Sequence, residues 1–316
     1  MTTASAPKTA STRDIFGRTL LELGRENPDI VVLGGDLNKS VMTTYFAQEF
    51  PARFFDLGAA EQNMMSLAAG LAAQGKIPFA STFAVFGVCR PFDQIRLSIA
   101  QPHQNVKIVC THAGITTGED GVSAHGIEDL ALMCALPGFN VVVPADGVET
   151  AQAVRVAAAT PGPFYIRLSR PPTPLVLPAG YQFHLGQAAT LREGADATIV
   201  ATGFMVGQAL LAAEQLAASG VQCRVLNMST LKPLDEAALV KAARETGAIV
   251  TAEEHLIWGG LGSLVAQTIS RQRPVPLGCV ALTGYAESGK GDELVQKYGL
   301  TPADIVREVR AAIARK

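Results

Sequence analysis

The feature that most constrains the fold is a repeated order of apolar strand, polar loop and helix. The stretch from Asp29 to Asp36 is continuously apolar and ends in a Gly-Gly-Asp turn, which is typical of a parallel strand buried on both faces. The same order recurs as far as Leu168, and a second series begins at Ala197. These series predict an α/β protein with two doubly wound domains, a first with a mostly parallel sheet and a smaller second one.

Proline marks the predicted division of the chain. The run from Pro171 to Gly180 is proline-rich, and proline favours extended backbone and cannot complete a strand ladder. We predict a first domain over residues 12–178, a linker over 179–187 and a second domain over 188–316. Residues 1–11 are small and polar and are predicted to form a disordered tail.

Charge and hydropathy argue against several functional classes. The net charge is −2 and no basic run is present, so neither nucleic acid nor a membrane surface is an expected partner. No apolar stretch reaches the about 18 uninterrupted residues of a membrane span. The five cysteines are widely spaced without a C-x-x-C pair, which disfavours a disulfide framework or a zinc site and makes the cytoplasm the expected location.

Candidate functional groups follow the predicted strand ends. Ligands of open α/β sheets bind outside the carboxyl ends of the strands, so these groups are expected to converge on one rim. They are Asp36, Asp56, Phe83, His112 and the pair Ser169-Arg170.

The predicted helix from near Ala60 to Ala73 opens with a single carboxylate, Glu61, and is otherwise mostly apolar. A carboxylate in the first turn stabilises the positive end of a helix by about 0.3–1 kcal/mol, and Glu61 taken alone favours that structural role. The neighbouring sequence segments instead favour a functional role for Glu61.

Three segments together resemble the pyrimidine-binding domain of thiamine-diphosphate enzymes, and most closely the C-terminal half of transketolase: residues 54–70, 78–86 and 111–121. The resemblance covers essentially the whole chain. The wider group includes 1-deoxyxylulose-5-phosphate synthase and the β subunits of 2-oxoacid dehydrogenases. The resemblance implies a pyrimidine-binding domain followed by a transketolase C-terminal domain.

Thiamine diphosphate is the cofactor that the resemblance implies. Glu61 matches the family glutamate that hydrogen-bonds the ring nitrogen of the aminopyrimidine. Phe83 and Phe86 match the aromatic positions that pack on this ring, although their spacing alone would also suit a hydrophobic core.

The resemblance also implies a phosphorylated sugar substrate. Arg13, Ser40, His112 and Arg170 carry the residue types with which transketolases hold the phosphate end of a sugar. Asp120 matches the aspartate that reads a sugar hydroxyl, and it joins Glu61 and His112 in the predicted catalytic set.

One position departs from the family pattern. Ala124 stands where transketolases place a histidine that contacts the donor sugar, and His125 follows one residue later. His125 either substitutes for that histidine, as a fourth catalytic residue, or hydrogen-bonds its own turn. The exact donor sugar is therefore left open.

The magnesium motif of the family, a Gly-Asp-Gly followed later by Asn, has no match in the Gly118–Gly121 segment. The resemblance therefore implies a separate N-terminal subunit that binds the diphosphate and Mg²⁺, in an α2β2 heterotetramer. The predicted function is one subunit of a split transketolase that moves a two-carbon ketol unit between sugar phosphates. The alternatives are a β subunit of the first component of a 2-oxoacid dehydrogenase, or a non-catalytic scaffolding subunit.

Overall fold

The computed structural model describes residues 8–178 and 180–316. Strands and helices alternate along most of the chain. The strands are β1 Thr9–Ala10, β2 Ile30–Gly34, β3 Phe54–Asp56, β4 Ile77–Ser81, β5 Lys107–Cys110, β6 Asn140–Val142, β7 Phe164–Arg167, β8 Thr173–Pro174, β9 Ala189–Arg192, β10 Ala197–Ala201, β11 Cys223–Asn227, β12 Thr230–Lys232, β13 Ile249–Leu256 and β14 Leu277–Leu282. The α-helices are α1 Thr12–Glu26, α2 Thr44–Glu49, α3 Glu61–Ala73, α4 Ala84–Val88, α5 Phe92–Gln94, α6 Asp129–Ala135, α7 Gly147–Ala159, α8 Met205–Ala218, α9 Glu236–Thr246, α10 Leu261–Gln272, α11 Gly291–Lys297 and α12 Pro302–Ile313.

The first sheet has the strand order β12-β6-β7-β5-β4-β2-β3. All pairs except β12 with β6 are parallel. Both faces are covered, as the apolar strand of residues 30–34 requires: Val31 and Leu33 pack in the cluster that contains α3, whereas Ile30 and Val32 pack in the cluster that contains α1 and α7.

The second sheet has the strand order β14-β13-β10-β11-β9, with only β9 antiparallel. One face packs on α8 and α12. The other face packs with α9 and α10 in a cluster that also holds Met133 and Leu136 of the first half, so the two halves share one core. The predicted fold of two doubly wound α/β units is confirmed.

One strand crosses the predicted division of the chain. Thr230–Lys232 lies in the second half of the sequence, yet it pairs with Val141 and Val142 at the edge of the first sheet. The Lys232 ammonium also donates to the backbone oxygens of Cys134 (2.9 Å) and Leu136 (2.5 Å). The second half therefore completes the first sheet.

The predicted disordered tail over residues 1–11 is wrong in its last part, and residues 1–7 lie outside the described residues. Thr9 and Ala10 pair antiparallel with Thr173 and Pro174, at the start of the proline-rich run that closes the predicted first domain. Such a ribbon is held by backbone groups, so it needs no apolar side chains, and proline is tolerated at its edge. Within the described ranges, every helix is too short or too polar to cross a membrane.

Candidate active site

The carboxyl ends of the parallel strands in the first sheet meet at one rim, where hydrogen bonds join the loops. Thr111 N donates to the oxygen of Thr82 (3.1 Å), which links the ends of β4 and β5. On the neighbouring side, Asp36 N donates to Asp56 Oδ1 (3.0 Å), which links the ends of β2 and β3. These bonds confirm the predicted convergence of strand ends.

Glu61 begins α3 at this rim, and its carboxylate is paired with an arginine. The residue is 3% exposed, and Arg90 Nη1 lies 3.1 and 3.3 Å from its two oxygens. The same guanidinium lies over the ring of Phe86, 4.3 Å from the ring centroid. A cavity of about 490 Å³ beside the pair is lined by residues 59–63 and Arg90, so Glu61 borders open space.

The aromatic residues form a continuous stack along the rim. The rings of Phe83 and Phe86 are nearly parallel, at an angle of 12°, with centroids 5.8 Å apart. Phe83 also stacks on the His112 ring, at 16° and 3.7 Å. The three rings connect the Glu61 end of the rim to the end that carries His112.

His112 is held in a left-handed backbone conformation (φ 55°) directly after β5. Its Nδ1 lies 2.7 Å from Thr111 Oγ1, and its backbone oxygen accepts from Thr117 Oγ1 (2.6 Å). Burial, and then the charges of Arg13 and Arg170, lower the pKa of His112 to about 3. The imidazole is therefore neutral at physiological pH.

Arg13, His112 and Arg170 of the predicted phosphate-binding set lie near one another, and Ser40 meets Arg13 through its backbone oxygen. Arg13 and Arg170 line one cavity of about 700 Å³ between the two halves of the chain. Arg13 Nη1 donates to the backbone oxygen of Ser40 (2.9 Å), and the charges of both arginines, after burial, lower the pKa of His112. Arg170 Nη1 donates to the oxygen of Thr117 (2.7 Å). Burial, and then the charge of the neighbouring Arg170, lower the pKa of Arg13, so the two guanidinium groups lie close enough to repel each other.

Asp120 and His125 have different exposures. Asp120 ends the 3₁₀ turn Ile115–Asp120 and is exposed. His125 is 2% exposed, its Nε2 lies 3.0 Å from the oxygen of Gly118, and its buried Nδ1 has no hydrogen-bond partner among residues 8–178 and 180–316. In the free chain His125 therefore stabilises the turn at Gly118 through this hydrogen bond. Its predicted contact with the donor sugar stays a prediction.

These groups fit one end of thiamine diphosphate. A buried carboxylate beside a flat aromatic stack matches an aminopyrimidine, which offers one ring nitrogen to bond and two faces to cover. Among residues 8–178 and 180–316, no three His, Cys, Asp or Glu side chains are grouped to hold a metal ion. The buried carboxylate and the aromatic rings thus fit the pyrimidine end of the cofactor.

Comparison with known families decides the relationship. The chain matches the description "Transketolase, pyrimidine binding domain" over residues 8–174 and the description "Transketolase, C-terminal domain" over residues 186–305. The chain belongs to the transketolase family.

Similar proteins include separate subunits of this transketolase family. The chain is 43% identical to the 6-deoxy-6-sulfo-D-fructose transketolase subunit SqwH of Clostridium sp. (strain MSTE9), over 96% of this chain and 95% of that protein. It is 42% identical to a putative transketolase C-terminal section of Methanocaldococcus jannaschii, over 93% of each chain. A solved structure titled "Split gene transketolase, inactive beta4 tetramer" is 49% identical, with a TM-score of 0.90, and the match covers 98% of this chain and 100% of that one.

These relatives support the split-transketolase prediction over both of its alternatives, the 2-oxoacid dehydrogenase β subunit and the scaffolding subunit. They do not bear on the predicted boundaries at 12–178, 179–187 and 188–316, or on the roles of single side chains. Those remain predictions for this transketolase subunit.

Three contact residues of the transketolase site were not predicted. Arg90 follows Phe86 by four residues, which is one helical turn, and that spacing was the available signal for its position over the ring. Thr111 and Thr117 flank His112 and bond it from both sides. Hydroxyl residues are common at strand ends, so nothing in the sequence singles them out.

Proposed function

We propose that this chain is the pyrimidine-binding, catalytic subunit of a split transketolase that transfers a two-carbon ketol unit from a ketose phosphate to an aldose phosphate. The single observation that supports this proposal most strongly is the unbroken row of contacts from Glu61 through Arg90, Phe86 and Phe83 to His112. The residues predicted to bind the cofactor (the cofactor end) and those predicted to bind the phosphate (the anion end) then lie on one rim of the sheet, as a reaction between cofactor and sugar phosphate requires.

At the cofactor end, thiamine diphosphate when bound supplies the carbanion-stabilising chemistry, and the chain supplies orientation and proton handling. Glu61 holds or shares a proton at the ring nitrogen of the aminopyrimidine. Phe83 and Phe86 cover the ring and exclude water from it. Arg90 holds the Glu61 carboxylate in place until the cofactor arrives.

At the anion end, Arg13 and Arg170 provide fixed positive charge for a tetrahedral anion. His112 is neutral, since its pKa is lowered to about 3, so it acts as a hydrogen-bond donor and not as a third cation. We assign Thr111 as the donor to Nδ1, which leaves the Nε2–H of His112 for the substrate. Ser40 adds a hydroxyl, and Asp120 on the adjacent turn reads a sugar hydroxyl.

The proposed partner is an N-terminal subunit that binds the diphosphate and Mg²⁺, in a cytoplasmic α2β2 assembly. Two findings support partner dependence: the matched families are those of the pyrimidine-binding and C-terminal domains, and a 49% identical chain was solved as an inactive β4 tetramer. All five cysteines are free, which suits a reducing compartment.

The test is reconstitution with the partner subunit, followed by an assay with xylulose 5-phosphate and ribose 5-phosphate. We expect ketol transfer and tight cofactor binding only when both subunits are present. Transfer by this chain alone would contradict partner dependence. Decarboxylation of a 2-oxoacid without ketol transfer would instead favour the dehydrogenase alternative. A 6-sulfo sugar, the substrate class in the name of one relative, is the comparison donor.

A further inference from the structure

A buried glutamate of the second half reaches into the active-site loop of the first half. Glu254 lies on β13 and is 3% exposed. Its Oε1 accepts from Thr116 N at 2.6 Å, which is a short hydrogen bond. A Cβ on Gly114 would lie 2.1 Å from Glu254 Cδ, so the carboxyl group packs directly against the loop backbone.

The loop segment Thr116-Thr117, which Glu254 bonds, contacts two of the anion-binding residues. Thr117, next to Thr116, donates from Oγ1 to the backbone oxygen of His112 (2.6 Å) and accepts from Arg170 Nη1 at its own oxygen (2.7 Å). His112 has φ 55°, a conformation that persists only when its surroundings hold it. The position of Thr116-Thr117 therefore fixes both His112 and Arg170.

The strand that carries Glu254 is itself anchored to the first half. Arg167 Nη2 donates to the backbone oxygen of Glu254 (2.9 Å), and Arg167 Nε pairs with the buried Asp129 (2.8 Å). Burial raises the pKa of Glu254 to about 7, and Arg167 opposes that rise. The carboxyl group is costly to bury, and its bond to Thr116 N offsets part of that cost.

We propose that Glu254 is a positioning residue, through which the C-terminal half holds the loop that places His112 and Arg170 on the anionic end of the substrate. This inference rests on the proposed function for its substrate, but the loop contact itself can be tested without catalysis.

The chain offers a matched control in the preceding residue. Glu253 is also fully buried, and burial also raises its pKa to about 7. Its two oxygens accept from Leu261 N and Gly262 N (2.7 Å each), so it caps the start of α10 and has no bond to the loop. Glu253→Gln removes an equivalent buried carboxylate and leaves the loop contact intact.

The first experiment is hydrogen–deuterium exchange of the isolated full-length chain. At pH 8, above the pKa of about 7, Glu254→Gln replaces an ionised carboxylate with a neutral amide of similar volume and weakens the bond to Thr116 N. Amides of residues 112–121 should then exchange about 5- to 20-fold faster than in the wild type. Glu253→Gln should leave this segment unchanged and speed exchange at the start of α10. Equal protection of residues 112–121 in the wild type and Glu254→Gln would overturn the positioning role, whatever the enzyme activity.

The second experiment uses the complex reconstituted with the partner subunit. Glu254→Gln should raise KM for ribose 5-phosphate about 5- to 20-fold and change KM for glycolaldehyde, which has no phosphate, by less than about 3-fold. Glu253→Gln should leave the ratio of the two KM values at its wild-type value. An unchanged ratio in Glu254→Gln would overturn the inference, whereas a wild-type complex without ketol transfer would contradict only the proposed function.

Discussion

At the scale of single residues, Glu61 is the group whose role a one-atom change tests most directly. Glu61→Gln keeps the shape of the side chain but cannot hold or release the proton that the aminopyrimidine needs. In the reconstituted complex we expect kcat with xylulose 5-phosphate and ribose 5-phosphate to fall about 10²- to 10⁴-fold, with an unchanged circular-dichroism spectrum. The control is Glu49→Gln, another arginine-paired glutamate, which lies on the surface beside Arg25. Turnover of Glu61→Gln within a few-fold of wild type would refute its proposed role.

The two arginines of the anion end predict a substrate-selective loss. Arg170→Ala and Arg13→Ala should each raise KM for ribose 5-phosphate about 10- to 150-fold, because a charge-assisted hydrogen bond contributes about 1.5–3 kcal/mol. The loss should shrink with glycolaldehyde. Arg18→Ala is the control, since Arg18 lies on the same helix as Arg13 but is exposed, pairs with Asp14 and lies over the Tyr45 ring. Equal losses on both acceptors would mean that these arginines hold the fold or the interface.

Residue types at the site were more predictable than their contacts. Glu61, Phe83 and His112 could be singled out because each stands in a family-like segment at a strand end or helix start. The 3.7 Å stack of Phe83 on His112 could not be predicted, because it depends on β4 lying beside β5 and on the left-handed backbone of His112. Side-chain placement of this kind follows from strand order, which the sequence pattern leaves open.

At the scale of elements, the turn after β5 contains a glycine that no other residue can replace without strain. Gly114 has φ 82°, and an added Cβ would meet Glu254. Gly75, after α3, has φ 85°, and no atom of the described residues lies within 4 Å of an added Cβ. An alanine at a positive-φ position costs about 1–3 kcal/mol, and the cost at Gly114 is at the upper end because its ψ of −178° lies in a region that essentially only glycine adopts. Gly114→Ala also adds about 1–3 kcal/mol of overpacking against Glu254.

Urea unfolding of the isolated chain measures this difference. We expect Gly75→Ala to lower the free energy of unfolding by about 1 kcal/mol and Gly114→Ala by about 4–6 kcal/mol. Gly114→Ala should also weaken protection of the Thr116 amide, as Glu254→Gln does. Equal destabilisation by the two substitutions would show that the loop can move away from Glu254 at little cost.

The larger elements were predictable because their apolar patterns are long. The predicted strand of residues 29–36 is observed as Ile30–Gly34, and the predicted helix from near Ala60 to Ala73 is observed as Glu61–Ala73. The strand Thr230–Lys232 was not predicted, because three residues before a proline are too few to show the alternation of apolar and polar residues. Its partner strand β6 is also distant in the sequence. The pairing of Thr9–Ala10 escaped for the same reason.

At the scale of the whole molecule, buried polar groups join the two halves. Asn227 of the second half donates to both oxygens of Glu149 in the first (3.1 and 3.0 Å), and Glu254 and Arg167 make the contacts described above. A buried charge is tolerated only when it is bonded, so each of these contacts depends on both halves being in place. We therefore expect the halves to unfold together.

The buried acids at this junction make stability depend on pH in a defined window. The pKa values of Glu253 and Glu254 are each raised by burial from 4.5 to about 7. Between pH 4.5 and about pH 7, each of the two carboxyl groups is still protonated in the folded chain but ionised in the unfolded chain. The contribution of each acid to stability therefore falls as pH rises through this range. His112 acts in the opposite sense, because its pKa is lowered from 6.5 to about 3 and its contribution to stability rises as pH rises from about 3 to 6.5.

Comparing variants with wild type isolates the two acids from His112. Glu253→Gln and Glu254→Gln cannot ionise, so each variant should gain stability relative to wild type as pH rises from about 4.5 to 7, by up to about 3 kcal/mol, with no further change below that window. Urea unfolding at intervals of half a pH unit measures the difference. The free energy of unfolding of wild type minus that of the variant could instead stay constant from pH 4.5 to 7. The acids would then ionise in the folded chain as they do in the unfolded chain, and water would reach the junction between the halves.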